Sequence, residues 1–445
     1  ASDNGSGRAD AQVSQGDTVL VRVTGDSSDL NLRLTNAVSQ SGDAVTLTGT
    51  DGDDALEFTA GSAEHTVSLN GVMYTFASGS VANVAIDGGG GSDSVIGHGS
   101  DAIDQAELSR DLSVLDSLEY RFSVTGVVST TFVGSGEDVA LLTDTELDEV
   151  FVGRENASLF RGAAHEYQIR VNGYGVTNAS AVNGGYDRAA LYDSAGDDLF
   201  IGRGDNSILR ATDSSYRVAA REFERVNVYS SGSGHDRAFL FDTPSDDLFV
   251  STGDYAVMFH GNYDQYRFVQ SFDYVWGDSS NGGLDRALLY DTVHDDQYIA
   301  TPDYAAMITD ATGVVSLAVG FSSTRGFGGS GGNDTATFEG STQNDIAVLW
   351  RGGAAVADQS LSFDNSAEGF DSVRVRATQG GADQVTIRGS DADDRFEAYG
   401  DTAEMEADGD RWSAIGFDEV RYDLSSGGAD SVSVGAIDYA LTQLG

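Results

Sequence analysis

The residues of this chain that could do chemistry are carboxylates, and they recur. "YDSAGDDLF" from Tyr192 to Phe200, "FDTPSDDLF" from Phe241 to Phe249 and "YDTVHDDQY" from Tyr290 to Tyr298 are near-copies, each starting 49 residues after the last. Each places three carboxylates within six residues: Asp193, Asp197 and Asp198; Asp242, Asp246 and Asp247; Asp291, Asp295 and Asp296. Calcium takes six to eight oxygens from such carboxylates and neighbouring carbonyls, so Ca2+ is the candidate ion. Asp53 and Asp54 occupy the same point of the first unit, and Asp87 and Asp93 bracket a "DGGGGSD" turn, which brings these four into the candidate set. Two metal-free readings compete. Asp and Gly recur wherever turns are needed, because Asx side chains bond their own backbone and Gly supplies positive φ. The "DR" dipeptides Asp187/Arg188, Asp236/Arg237 and Asp285/Arg286 could also build an arginine ladder that neutralises the aspartates.

Other chemistry is sparse. The absence of cysteine excludes disulfides and thiolate sites, and the six histidines do not cluster in sequence. "GGSGG" (Gly328 to Gly332) fits a nucleophile-elbow pattern but lacks the strand-to-helix context that pattern demands. A catalytic site should break the repeat at one place, and no unit carries a private cluster of Asp, Arg and His, so no catalytic residue is assigned and the chain reads as a non-enzyme. Acidic residues number 71 against 25 basic ones, all arginine, for a net charge of −46. Such a surface repels nucleic acid and anionic membranes. No apolar run approaches the roughly 20 residues a membrane-spanning helix needs.

The elements that must position these carboxylates follow from the period. The aspartate of the Gly/Ser-rich turns falls at Asp138, Asp187, Asp236, Asp285, Asp334 and Asp383, always 49 apart, with variant spacing at Asp43, Asp93 and Asp430. Inside a unit, short β-branched and aromatic runs such as "RAFLFD", "YAVMF" and "YRFVQ" alternate apolar with polar residues, and about five strands fill one repeat. The expectation is an all-β protein built as a β-solenoid, parallel β-helix-like, with a β-propeller of blades as the alternative. "GD" turns at Gly204/Asp205, Gly253/Asp254 and Gly400/Asp401 read as hairpins and speak for blades, whereas columns of identical turns speak for a solenoid. Residues 1–40 read as an N-terminal segment, cap or assembly strand, 41–137 as variant repeats, 138–429 as regular repeats and 430–445 as a truncated unit.

The stretch Leu47 to Val95, "LTGTDGDDALEFTAGSAEHTVSLNGVMYTF…VAIDGGGGSDSV", and units such as "DRAALYDSAGDDLFIG" resemble repeats of very large exported proteins of planctomycete-type and other marine bacteria. The likeness spans roughly residues 40 to 445 and implies an open solenoid in a surface or matrix component rather than an enzyme. "DGGGGSD" is also similar to the calcium-binding turns of RTX β-roll proteins, a likeness that reaches only Asp87 and Asp93. A chain that begins at Ala1 fits an exported product. The function expected is that of an extracellular structural or adhesive protein, calcium-stabilised and assembling head to tail into a homo-oligomer or filament. The competing class is a carbohydrate-active β-helix protein that binds or cleaves polysaccharide; aromatic residues aligned on one exposed face would favour it.

Overall fold

The computed structural model describes residues 17–20, 22, 24, 36–261, 263–309 and 313–444. Most of the expected N-terminal segment therefore lies outside the described residues. The described residues hold strands and a single 3-10 turn, Ser78–Ser80. They wind as a parallel β-solenoid, neither a barrel nor the alternative ring of blades. The "GD" turns are hairpins as read, but they serve the solenoid: Gly204/Asp205 joins the antiparallel pair Asp198–Arg203 and Asn206–Ala211.

Alternation along each strand decides which face is buried. In Arg237–Phe241, Ala238 and Leu240 point inward while Arg237 and Phe239 point out, as period-two patterning requires. The inward positions recur with the repeat: Phe151, Phe200, Phe249, Tyr298 and Phe396 are all fully buried and lie at multiples of 49 residues. A ring of that size is accommodated because its neighbours are small. A Cβ on Gly277 would come within 2.8 Å of the Phe249 ring, and one on Gly326 within 2.6 Å of the Tyr298 ring.

Each repeat leaps ahead and then fills in behind. From Arg286–Tyr290 in one sheet the chain crosses to Asp296–Ala300 in the other. It returns through Tyr304–Thr309 and Val315–Val319, antiparallel at each step, to lie parallel beside the earlier strand Tyr274–Asp278. It then crosses back to place Ser323–Phe327 beside Arg286–Tyr290 and Thr335–Glu339 beside Asp296–Ala300. The next repeat makes the same excursion in the opposite sheet, through Asp345–Trp350, Gly353–Asp358 and Asp364–Glu368. The leap over each acidic phrase thus runs next to the Gly-rich crossing that follows the return.

The described residues group into two compact units. The first runs to Ala190 and takes in Ser214–Phe223, whose strand Arg217–Arg221 pairs parallel with Val176–Ser180. Its excursion uses Glu149–Gly153, Ala157–Gly162 and Gln168–Asn172, the last beside Ser129–Val133. Near its beginning the variant units add antiparallel strands, Val38–Ser41 on Ala44–Thr48 and Val72–Ala77 on Glu64–Leu69. The second unit comprises Leu191–Asp213 and the residues from Glu224 onward.

Because Phe249 and Tyr298 pack directly over glycines of the opposite sheet, both directions of volume change should be felt. Phe249→Ala should cost ~3–5 kcal/mol in urea unfolding. Gly277→Val, which drives a side chain into the same ring, should cost ~1–3 kcal/mol, and a melt of either variant that matched the parent protein would contradict the packing described.

Candidate metal centres at the stacked turns

Each acidic phrase occupies a crossing between sheets, and each of its carboxylates has a distinct task. Take the repeat that starts at Tyr192. Asp198 accepts hydrogen bonds from the Ser194 amide at 3.0 Å and the Ser194 hydroxyl at 2.8 Å, closing its own turn. The Asp198 amide in turn donates to Asp236 Oδ1 at 2.8 Å, 38 residues on. Asp197 accepts the amide of His235 at 2.9 Å, and Asp193 accepts the amide of Ser231 at 2.8 Å. Two carboxylates of one turn, Asp193 and Asp197, and one of the next, Asp236, are therefore bonded to backbone across the gap between coils.

The same stitching repeats along both units. Asp54, Asp104, Glu149, Asp247, Asp296, Asp345 and Asp394 each donate their amide to the carboxylate of the following Gly-rich turn, at 2.6 to 3.0 Å. Asp53, Asp246 and Asp295 accept amides as Asp197 does. Asp242 takes the Asn281 amide, and Asp291 those of Gly329 and Ser330. Asp87 accepts the Gly89 amide at 3.1 Å in a turn of its own. Ser330, the serine of "GGSGG", donates its hydroxyl to Asp291 at 2.7 Å, so that loop is one more stitched turn.

Two expectations are corrected by this geometry. Successive phrases do not stack on one another as a column of like turns. Alternate excursions use opposite sheets, so a phrase leads to one sheet in one repeat and to the other sheet in the next, and its neighbour is the Gly-rich turn about 38 residues later. Nor do the "DR" arginines form the neutralising ladder: Arg188, Arg237 and Arg286 are exposed at strand starts, while Asp187, Asp236 and Asp285 are buried and accept backbone amides.

Among the described residues, carboxylates converge at three places. Asp144, Glu149 and Asp187, then Asp193, Asp198 and Asp236, then Asp242, Asp247 and Asp285 each bring one oxygen per residue to within 4.8 Å of the others. Of the thirteen candidate ligands, these triads contain Asp193, Asp198, Asp242 and Asp247. Asp197, Asp246 and Asp295 are exposed and reach for the neighbouring turn instead. Asp291 and Asp296 occupy the equivalent positions one repeat on, beside Asp334, whose carboxyl their charge helps to raise. Asp53, Asp54, Asp87 and Asp93 surround the first such crossing, where the charges of Asp54, Asp53 and Asp87 act together on buried Asp93. The members missed in sequence are Asp144, Glu149, Asp187, Asp236 and Asp285. The 49-residue column of Gly-rich turns marks three of them, but only the fold-back places that column against the phrases.

The first member of the triad separates two kinds of repeat. Asp144, Asp193, Asp242 and Asp291 hold a position that is glycine in the other repeats, at Gly49, Gly99, Gly340 and Gly389. Where glycine stands, a Cβ would lie only 2.5 to 2.8 Å from the carboxylate of Asp54, Asp104, Asp345 or Asp394. Those turns are closed around one carboxylate, whereas the four central ones carry an additional one.

Crowding and burial raise the proton affinity of several of these carboxyls. Desolvation, with repulsion from neighbouring carboxylates, pushes Asp236 and Asp334 up to about 6, and moves Asp193, Asp242 and Asp285 upward as well. Asp247 is the exception. Burial pushes it up, but hydrogen bonding from His260, whose Nδ1 lies 3.5 Å away, and from Thr243 and Gly261 outweighs burial and leaves it low. His260 is buried at a position matched by Ala211, Thr309 and Ala407, so it is private to its repeat.

The sign of the pH effect follows. Asp236 and Asp334 have folded values near 6 against an ordinary 3.8, so the folded chain binds protons more tightly and stability falls as pH rises from 3.8 through about 6. Without divalent metal, the melting temperature should rise as pH is lowered from 7 to 5. Asp236→Asn, which keeps an acceptor for the Asp198 amide, should flatten that dependence; a melting temperature that falls over the same window would refute the assignment.

No protein-family model matches the chain, and no curated protein is found as a relative.

Proposed function

We propose that the protein is an exported structural or adhesive repeat protein of the cell surface or matrix, with calcium held at the carboxylate triads. One observation carries this reading: in three successive repeats a triad takes two carboxylates from one turn and one from the next coil. An ion there would tie consecutive coils together. The donors are all oxygen, with serine and threonine hydroxyls and turn carbonyls nearby, a set that suits a hard cation rather than a thiophilic metal. Sites of this kind in extracellular modules bind calcium at ~10⁻⁴–10⁻³ M, a range matched to calcium outside cells. The hydrogen-bonded stitching of every repeat supports a scaffold role, since the acidic phrases serve to join coils throughout.

Assembly of copies head to tail belongs to the same reading. Strand Ser431–Ile437 pairs with Arg395–Gly400, and its Val432 and Val434 continue the line of Phe396 and Ala398.

Melting curves in millimolar calcium and in excess chelator test the central claim. Calcium at a hundredfold excess over its Kd should stabilise the fold by ~2.7 kcal/mol per site. The Asp193→Asn/Asp242→Asn double variant should lose most of the gain while melting normally in chelator. Equal melting with and without calcium would leave the aspartates as turn formers alone.

A further inference from the structure

The outer face of one sheet in the second unit departs from the character of the whole chain. On Asp198–Arg203, Asn206–Ala211 and Arg237–Phe241 the outward positions carry arginines, apolar side chains and one asparagine, Asn206, and no carboxylate, in a protein of net charge −46. Register aligns them in rows. Leu199 is flanked by Arg210 and Arg237, and Arg237 by Tyr274. The next row runs Ile208, Ile201, Phe239, Trp276 and Leu317. The third sets Arg203 beside Phe241, its guanidinium 4.0 Å from the ring centre. The Phe239 ring centre lies 5.5 Å from that of Trp276 and 6.3 Å from that of Tyr274, the planes tilted by 47° and 54°, so the three rings form one contiguous aromatic cluster. Asp278, paired with Phe241, marks its acidic limit.

We propose that this face binds an acidic polysaccharide. Guanidinium groups match carboxylate or sulfate oxygens in planar, bidentate fashion. Ring faces of Phe239, Trp276 and Tyr274 carry negative quadrupoles that receive the C–H face of a sugar. The arginines are spread rather than clustered. Arg210 and Arg237 sit two strands apart, roughly 10 Å between backbones, and Arg203 lies at the far end of its strand. A linear polymer with a charge on each unit can engage several such points at once, whereas a single small anion meets one. Charge complementarity is local: acidic turns bound the strands at their ends, while the outward positions between them carry the arginines and no carboxylate. This assignment is independent of calcium at the turns.

The test uses the full chain with chelator present, so that calcium bridging is not what is measured. Polygalacturonate and dextran sulfate serve as the carboxylate and sulfate probes and dextran as the neutral control, in titration calorimetry; sedimentation velocity reports self-association. The expected result is binding of at least one acidic polymer but not of dextran, weakening as sodium chloride is added. Arg203→Gln/Arg237→Gln should weaken it by about tenfold per lost charged hydrogen bond, with an unchanged melting curve because both side chains are exposed. Trp276→Ala should weaken it further. Three results would overturn the proposal: no binding at low salt, binding that survives the arginine double variant, or a dimer abolished by Trp276→Ala, which would make a second copy the occupant.

Discussion

The fold depends on one bond, the backbone amide of a phrase aspartate donating to a buried carboxylate of the next coil. Asp198 to Asp236, Asp247 to Asp285 and Asp296 to Asp334 are three instances. A crossing between sheets leaves its amides without strand partners, and a buried amide left unpaired costs as much as a lost hydrogen bond. Aspartate resolves this because its short side chain holds an acceptor at a fixed reach from the turn. The carboxylate is charged, so the bond is stronger than a neutral one, but it is also buried, so ionisation is opposed. Tight stitching and raised proton affinity are two results of the same placement.

The leap and return of each repeat follow from the same constraint. A strand that simply advanced one place per crossing would set phrase against phrase and bring like charges together. By jumping three places and filling in behind, the chain sets each phrase against a Gly-rich turn, whose amides are the donors the carboxylates need. Glycine is required there for the approach of the two backbones: Gly283 and Gly332 adopt φ of 106° and 97°, and a Cβ on either would strike the carbonyl of the phrase beside it.

Much of this could be read from the amino acids. The period of two, the 49-residue beat and the turn residues were enough for an all-β solenoid with the correct strand density, because alternation and turn chemistry are local. What escaped reading is whatever depends on which turn meets which. Asp236 was visible as a member of a column, but its distance of 38 residues from Asp198 is set by the fold-back, which no local pattern reports. His260 looked like one histidine among several, since its burial against Asp247 depends on the same excursion. Trp276 and Trp412 are indistinguishable by type, yet one faces outward in the aromatic row and the other is fully buried.

The contrast between glycine and aspartate at the head of the phrase bears most directly on function. With glycine, as at Gly340 or Gly389, the turn closes on a single carboxylate whose oxygens are satisfied by a serine and its amide. With aspartate, as at Asp193 or Asp242, a further carboxylate is brought beside two others, where it accepts the amide of Ser231 or Asn281 in the next coil. Glycine serves the same turn in the other repeats, so turn formation does not demand the additional acid. The central repeats therefore carry a repulsion that protons relieve at low pH and that a divalent cation would relieve at neutral pH.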